Sequence, residues 1–190
     1  GTNRPPRLRV QHTPAKVGLM APSTDSAGTA GSTQNPDEQL IARFYDAFSK
    51  RDAEALVACY HRDIVFTDPG FGTLRGDSAG DMWRMLCRAG KDLKVEASDI
   101  DAAHGRGHAH WVADYTFATG RKVHNVVDAT FDFAEGLIIR HTDVFDFDAW
   151  AAQAFGLPGK VVGYVPVVPE LSMQRLARLQ LKRFQSSQRG

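Results

Sequence analysis

The sequence has few of the features that mark membrane-spanning, disulfide-rich or zinc-binding proteins. It contains only two cysteines, Cys59 and Cys87, which are too few for a disulfide-built scaffold and lack the paired spacing of a zinc site. No apolar run approaches the ~18 residues that a transmembrane helix needs. These absences predict a cytoplasmic protein whose two thiols are ordinary intracellular cysteines.

Sequence elements typical of nucleotide, metal and nucleic-acid binding are missing or incomplete. Gly70-Phe71-Gly72 lacks the Lys-Ser/Thr pair that completes a phosphate-binding loop. His104, His108 and His110 lie close together in the sequence, but no carboxylate or cysteine completes a convincing set of metal ligands. The formal net charge of +1 argues against general nucleic-acid binding. We therefore predict no metal, no cofactor and no nucleic-acid partner.

The charge of the chain is unevenly distributed. Basic residues concentrate in residues 1–34 and after residue 170, so the middle of the chain is acidic. This distribution fits an anionic partner, an intramolecular contact or two solvated tails. Residues 1–34 show no hydrophobic period and predict a disordered basic tail. Because Gly1 is not a natural start and Met20 could be one, part of this tail is alternatively a remnant of expression.

Residues 158–190 are predicted to form a proline-containing connector and a basic amphipathic helix. We assign four residues to the apolar face of this helix: Leu171, Leu176, Leu179 and Phe184. Its basic residues would permit contact with an anionic membrane. We favour packing of the helix on the domain, because the stretch from Val161 to Val168 offers an apolar connector.

Helical periodicity dominates the first part of the main domain, which we place at residues 35–157. Asn35 is a typical N-cap, and apolar residues recur at helical spacing through residues 40–48. Asp52 and Asp77 are expected to cap the next two helices. The sequence thus predicts three helices before the main run of strands.

The period then changes to two, which is typical of strands. Ile64–Thr67 forms a first short strand that ends at Asp68-Pro69-Gly70. The alternation in residues 93–146 predicts four antiparallel strands, with turns at three glycines: Gly105, Gly120 and Gly136. Asp148 is expected to cap a further helix. Helices followed by strands indicate an α+β fold, in which helices pack on one face of a bent sheet and leave a pocket.

Five segments carry a resemblance to a known family: Phe44-Tyr45-Asp46-Ala47-Phe48, Arg51-Asp52-Ala53-Glu54-Ala55-Leu56, Cys59-Tyr60-His61, Val65-Phe66-Thr67-Asp68-Pro69, and Arg140-His141-Thr142-Asp143-Val144-Phe145-Asp146-Phe147. They resemble the NTF2-like superfamily, specifically its SnoaL-like branch, with ketosteroid isomerase as a more distant relative. The resemblance implies a cone of three N-terminal helices on a strongly curved antiparallel sheet. It also implies an apolar small-molecule ligand and a homodimer formed through the convex face of the sheet.

The same resemblance suggests three catalytic residues. Asp68 matches the position of the isomerase's general base, and a carboxylate at the mouth of an apolar pocket has a raised pKa. His141 and Asp143 share the inward face of the last strand, where polar residues of SnoaL-like enzymes handle protons. The alternatives are a turn residue at Asp68 and a buried structural pair at His141 and Asp143.

The chain departs from the isomerase at two positions. Phe44 and Ala129 stand where the isomerase has its oxyanion-hole tyrosine and its protonated aspartate, so steroid isomerisation by that mechanism is not expected. Six residues are predicted to line the substrate pocket: Tyr45, Trp83, Trp111, Tyr115, Asn125 and Ala129. The aromatic members are alternatively plain core, and Asn125 is alternatively a structural clamp.

Two functions fit these observations. The first is binding of an apolar cyclic small molecule, with general acid–base catalysis by Asp68, His141 and Asp143 in a cyclase, isomerase, dehydratase or hydratase. The second is a non-catalytic, dimeric ligand-binding or scaffold module. An open cavity in the cone favours the first function, and a pocket filled by side chains favours the second.

Overall fold

The computed structural model describes residues 35–156 and 170–188. The predictions made for residues 1–34 and 157–169 lie outside the described residues. The described part contains five helices: α1 (Pro36–Ser49), α2 (Ala53–Val57), α3 (Asp77–Ala89), α4 (Phe147–Phe155) and α5 (Glu170–Gln188). Its strands are β1 (Tyr60–Asp68), β2 (Gly72–Arg75), β3 (Lys94–Ala103), β4 (Arg106–Thr116), β5 (Lys122–Ala134) and β6 (Leu137–Val144). None of these helices has the length and apolarity needed to cross a bilayer.

The strands form one sheet in the order β2-β1-β6-β5-β4-β3. Neighbouring strands are antiparallel except β1 and β6, which run parallel. Register shifts in β1, β3 and β5 interrupt the regular pairing, and such irregularities increase local twist and bending. The predicted α+β cone of helices on a curved sheet is confirmed. The parallel pair is a departure from the expected antiparallel sheet, and it places the first strand beside the last one.

Side-chain caps explain where the first two helices begin. The Asn35 side chain accepts a hydrogen bond from the backbone N–H of Asp37, and the Asp52 side chain accepts one from the N–H of Ala55. Each bond satisfies a donor that the first helical turn leaves without an intrahelical partner. Both caps agree with the sequence-based prediction.

Two predicted caps are wrong. Asp77 lies inside the first turn of α3, and the capping position is Gly76, which has a φ of +51° and no capping side chain. The short strand β2, which was not predicted, runs almost directly into this helix, so the glycine supplies the sharp change of direction. Asp146, rather than Asp148, caps α4 by accepting a hydrogen bond from the N–H of Ala149.

Aromatic and aliphatic side chains fill the space between the helices and the inner face of the sheet. α1 and α3 supply one half of this core, through buried residues that include Leu40, Ile41, Phe44, Phe48, Met82 and Trp83. The strands supply the other half, through residues that include Phe66, Trp111, Val127, Phe131 and Ile138. A second cluster under α4 is centred on Val123 and Trp150. The core thus occupies the interior of the cone.

α5 packs on the domain, but its predicted apolar face is wrong. Ala177 and Leu181 are the buried residues of this helix, whereas Leu171, Leu176 and Leu179 are 68%, 54% and 53% exposed. Ala177 and Leu181 are four residues apart and so lie on one face. The helix therefore has a narrow inner face that joins the core, and the face that bears Leu171, Leu176 and Leu179 lies outside.

Polar contacts also fix α5 to the turn between β1 and β2. Gln174 Nε2 donates to the carbonyl oxygen of Pro69 at 3.2 Å, and Arg178 Nε donates to that of Phe71 at 2.8 Å. These carbonyls belong to the turn that directly follows Asp68. The C-terminal helix therefore holds the conformation of the segment next to that carboxyl.

One glycine allows α1 to approach the sheet closely. A Cβ atom added at Gly107 would lie 2.6 Å from Ile41 Cδ1 and 2.9 Å from Phe133 Cζ. We expect Gly107→Ala to lower the free energy of unfolding by roughly 1–3 kcal/mol, because it overpacks this contact. Urea denaturation measures the loss. In an Ile41→Val background, which lacks the Cδ1 atom, the loss should be smaller, and equal losses in both backgrounds would contradict this explanation.

Candidate functional site

The pairing of β1 with β6 brings two carboxyl groups together on the inner face of the sheet. Phe66 is in register with His141, and Thr67 is in register with Thr142. The next step along the two parallel strands places Asp68 beside Asp143. Burial of the Asp68 carboxyl raises its pKa, and the negative charge of Asp143 adds to this effect. Two of the predicted catalytic residues thus become neighbours through a pairing between distant parts of the chain.

A chain of hydrogen bonds runs from Asp143 into the core. His141 Nε2 lies 2.9 Å from Asp143 Oδ1, and His141 Nδ1 lies 2.7 Å from the hydroxyl oxygen of Tyr60. Trp83 Nε1 donates to the same Tyr60 oxygen at 2.9 Å. Trp111 Nε1 donates to Asp143 Oδ1 at 3.2 Å. We call this group of five residues the polar chain.

The donors of the polar chain define one consistent placement of protons. Because the Tyr60 oxygen accepts from Trp83, its own O–H is free to donate to His141 Nδ1. His141 then carries its proton on Nε2 and donates it to the carboxylate of Asp143. In this arrangement every N–H and O–H of the chain has an acceptor. With this placement of protons, the imidazole of His141 links the phenol of Tyr60 to the carboxyl group of Asp143.

Asp68 differs from Asp143 in its environment. It is partly buried, and Oδ1 accepts a hydrogen bond from the backbone N–H of Phe71 at 2.6 Å. Burial of the carboxyl raises its pKa to about 7, against the lowering effect of the Phe71 N–H. Asp68 is thus both a turn residue, as one alternative predicted, and a carboxyl that exchanges its proton near neutrality.

Tyr45 lies in the same interior with an unsatisfied hydroxyl. Its oxygen is buried without a hydrogen-bond partner, the only such side-chain atom in the part of the chain that is described. Burial raises the pKa of Tyr45 well above its ordinary value, and the negative charge of Asp143 raises it further. A buried hydroxyl without a partner is uncommon and calls for an explanation. A ligand oxygen would satisfy it.

Aromatic rings enclose the imidazole of His141. Its centroid lies 4.4 Å from that of Phe131 and 5.2 Å from those of Phe44 and Phe66. His141 is 0% exposed and Asp143 is 4% exposed. Two surface clefts, of about 590 and 310 Å³, are lined by other residues. The interior around the polar chain is therefore filled by side chains.

The structure gathers some of the predicted pocket residues and separates others. Trp83 and Trp111 belong to the polar chain, and Ala129 is fully buried directly opposite Asp143. Asn125 comes four residues before Ala129 in β5, roughly 13 Å away at ~3.3 Å per residue. Tyr115 instead accepts a hydrogen bond from Trp150 Nε1 at 2.8 Å and lines the larger surface cleft. Asn125 and Tyr115 thus lie away from the polar chain.

Tyr60 is the functional residue that sequence reasoning missed. The sequence assigned it no role in the site, and in the structure it is the first residue of β1. Its position within the Cys59-Tyr60-His61 segment was visible, yet its contact with His141 depends on the pairing of distant strands. The periodicity of a single segment carries no information about such a contact.

Metal coordination finds no support among residues 35–156 and 170–188. No group of three or more His, Cys, Asp or Glu side chains there is arranged to hold a metal ion. His108 and His110 instead face Asp128 on the outer side of the sheet, with His110 Nδ1 2.9 Å from Asp128 Oδ1.

Comparison with protein families identifies the domain. The profile of the SnoaL-like domain matches residues 41–141, which is more than half of the chain. The chain belongs to the SnoaL-like family. A search of curated proteins gives no match. The matched segment includes Asp68 and His141 and ends two residues before Asp143.

Solved structures that share this fold are described with different functions. An LEH-like epoxide hydrolase of M. tuberculosis superposes with a TM-score of 0.55 at 18% identity, over 64% of this chain and 90% of that one. IdmH, a candidate polyketide cyclase of Streptomyces antibioticus, superposes with a TM-score of 0.54 at 21% identity, over 65% of this chain and 99% of that one. A Catenulispora acidiphila protein described as having a ketosteroid isomerase-like fold superposes with a TM-score of 0.55 at 15% identity, over 67% of this chain and 98% of that one. At these identities the likeness establishes the fold alone.

Two tyrosine-to-phenylalanine substitutions should have different effects on stability. Tyr60→Phe removes the acceptor of Trp83 and the partner of His141, so we expect it to lower the free energy of unfolding by about 1–3 kcal/mol. Tyr45→Phe removes a hydroxyl that has no partner, so it should leave the stability unchanged or increased. Urea denaturation of both variants checks this contrast, and equal losses would contradict the polar chain described above.

The raised pKa of Asp68 predicts how stability changes with pH. Between about pH 4 and pH 7 the folded protein binds a proton that the unfolded chain does not, so its stability falls as the pH rises through this range. Asp68→Asn keeps an acceptor for the Phe71 N–H and removes the ionisation. We expect this variant to match the wild type near pH 4 and to exceed its stability by up to about 4 kcal/mol near pH 8, because each pH unit between a pKa of about 4 and one of about 7 contributes roughly 1.4 kcal/mol.

Asp148→Asn is a matched control, because Asp148 is exposed. Thermal or urea unfolding at several pH values gives the comparison. If Asp68→Asn and Asp148→Asn follow the same pH profile, Asp68 does not carry the raised pKa.

Proposed function

We propose that this protein is an acid–base enzyme that acts on a small, apolar and cyclic carbonyl compound. One observation carries the proposal: a carboxyl with a pKa of about 7 lies beside the Asp143–His141–Tyr60 arrangement in an apolar interior. A general acid or base works best when its pKa lies near the operating pH. The isomerases, cyclases, dehydratases and hydratases predicted from the sequence all require such a proton transfer.

Asp68 is the group we assign to move the proton. In its ionised form it removes a proton from the carbon next to the substrate carbonyl, and as the acid it returns that proton to another position. Asp143, which is hydrogen-bonded to His141 and Trp111, lies beside Asp68, and its charge adds to the effect of burial in raising the pKa of Asp68. His141 and Tyr60 hold Asp143 in place.

Tyr45 is the group we assign to the substrate oxygen. Its buried hydroxyl lacks an acceptor, and a carbonyl oxygen that gains negative charge during proton removal would supply one. Phe44, its neighbour on α1, has no polar atom for this purpose. Tyr45 therefore takes over a role that the sequence comparison assigned to the preceding position.

A non-catalytic module is the second candidate, and the filled interior favours it. Trp83, Phe131 and His141 are each no more than 2% exposed, so substrate entry requires side chains to move. Asp68 is the most exposed member of the group, and the turn that follows it is held by α5. We assign substrate entry to this turn in the enzymatic interpretation.

Exchange of substrate hydrogen with solvent distinguishes the two candidates. We would incubate a panel of small cyclic ketones and enones with the protein in deuterium oxide and follow deuterium uptake at the carbon next to the carbonyl by NMR. An acid–base enzyme should accelerate uptake for at least one probe. Asp68→Asn should reduce the acceleration by about 100-fold or more, the usual contribution of a general base.

Tyr45→Phe and Asp148→Asn complete this experiment. Tyr45→Phe should reduce the exchange rate by about 100-fold, as expected for removal of an oxyanion donor. Asp148→Asn should leave the rate unchanged. If no probe exchanges its hydrogen for deuterium, and no probe alters the fluorescence of Trp83 and Trp111, a non-catalytic module is the better account of this protein.

A further inference from the structure

A short turn of residues 69–71 joins β1 to β2 directly after Asp68, and we call it the Asp68 turn. Its ends are paired, since Asp68 is in register with Gly72. The carboxyl of Asp68 folds back over the turn. Its Oδ1 accepts the backbone N–H of Phe71 at 2.6 Å, and a Cβ atom added at Gly70 would lie 3.4 Å from its Oδ2. The Asp68 turn therefore supplies a hydrogen-bond donor to the carboxyl that we assign to move the proton.

Glycines leave the Asp68 turn with little conformational restraint of its own. Gly70 lies inside the turn, and Gly72 follows it with a φ of +69°, in the left-handed region. Glycine has more backbone freedom than any other residue, so a segment that contains two glycines has many accessible conformations in isolation. The direction of the Phe71 N–H must therefore be fixed by contacts from outside the turn.

The helix α5 supplies such contacts on both sides of the Phe71 N–H. This N–H belongs to the peptide group that joins Gly70 to Phe71. The peptide group before it is held through the carbonyl oxygen of Pro69, which accepts a hydrogen bond from Gln174 Nε2 at 3.2 Å. The peptide group after it is held through the carbonyl oxygen of Phe71, which accepts one from Arg178 Nε at 2.8 Å. The donating peptide group thus lies between two peptide groups that α5 anchors.

The missing side chain of Gly72 allows α5 to lie this close to the turn. A Cβ atom added at Gly72 would lie 2.7 Å from Arg178 Nη2 and 2.8 Å from Gln174 Oε1. Arg178 Nη2 also donates to the carbonyl oxygen of Thr73 in β2, at 3.4 Å. A guanidinium group is planar and directs its donors in a fixed fork, so it can hold two carbonyl groups at once. Arg178 therefore fixes the Asp68 turn and the start of β2 together.

We propose that Arg178 is a positioning residue for Asp68, because it holds the Asp68 turn so that the Phe71 N–H stays directed at the Asp68 carboxyl. Gln174 assists from the other side of the same N–H. The role of Arg178 in a reaction rests on the proposed function, in which Asp68 moves the proton. A hydrogen bond donated to a carboxylate stabilises its charged form. Arg178 thus increases the ionised fraction of Asp68 near neutral pH, and the ionised form is the one that removes a proton from the substrate.

Titratable and charged groups on three elements face Asp68 or its turn. Asp143 on β6 raises the pKa of Asp68 by its negative charge, in addition to the larger effect of burial. Tyr60 on β1 lies near enough for the charge of Asp68 to raise the pKa of its phenol. Arg178 on α5 is exposed, so water and salt screen its positive charge. Loss of the Arg178 side chain should therefore act on Asp68 through the turn rather than through its charge.

The titration of Asp68 in Arg178→Met tests the proposal. Methionine keeps an extended apolar side chain and removes the donors. We expect the titration midpoint of Asp68, followed by carbon-13 NMR, to rise by about 0.5–1 pH unit as the hydrogen bond from Phe71 weakens. Arg175→Met removes an exposed cation of the same helix and should leave the midpoint unchanged. An unchanged or lowered midpoint in Arg178→Met overturns the proposal, as does an equal rise in Arg175→Met.

The backbone amide proton of Phe71 gives a second readout that general destabilisation does not imitate. Because it is hydrogen-bonded to the Asp68 carboxyl, its chemical shift in the wild type should follow the titration of Asp68. In Arg178→Met the same change of chemical shift should be smaller, and in Arg175→Met it should keep its wild-type size. A change of equal size in the wild type and in Arg178→Met overturns the proposal.

The deuterium-exchange assay separates this proposal from the proposed function. For any probe that the wild type accelerates, the pH dependence of uptake should shift upward in Arg178→Met by the same amount as the titration midpoint of Asp68. An unshifted pH dependence overturns the role of Arg178 in the reaction and leaves the acid–base function in place. If the titration and amide changes occur but no probe exchanges, the acid–base function fails, and the positioning of Asp68 by Arg178 stands.

Discussion

The burial of His141 and Asp143 in an aromatic interior is the constraint on which the rest of the site depends. Polar groups removed from water must find partners within the protein, because an unpaired buried group costs about 1–3 kcal/mol. Tyr60, Trp83 and Trp111 supply these partners from β1, α3 and β4. The polar chain therefore fixes the relative positions of elements that enclose the cone from opposite sides.

The same arrangement explains why two neighbouring carboxyl groups behave differently. Asp143 accepts two N–H donors and is nearly fully buried, whereas Asp68 accepts a backbone N–H and lies closer to the surface. Burial penalises the charged form of Asp68, and the neighbouring charge of Asp143 repels it, so the pKa of Asp68 is raised. α5 then adds a contact to the turn that follows Asp68, from Arg178 to the carbonyl of Phe71.

Local patterns in the sequence predicted the helices, most strands and the inward direction of His141 and Asp143. They did not predict that β1 pairs in parallel with β6, because this pairing joins residues more than seventy positions apart. The neighbours of Asp68 and the role of Tyr60 follow from that pairing. The inner face of α5 was also misassigned, since its burial depends on a contact with the domain and only Ala177 and Leu181 are buried there.

The protonation of Asp68 is the most direct test of the account. Carbon-13 NMR of the carboxyl groups, assigned by comparison with Asp68→Asn, follows this residue as the pH changes. The account predicts a titration midpoint of about 7 for Asp68. A midpoint near 4, the ordinary value of an aspartate, would contradict it. Asp68 would then be a turn residue alone, and the proposed acid–base function would lose its principal support.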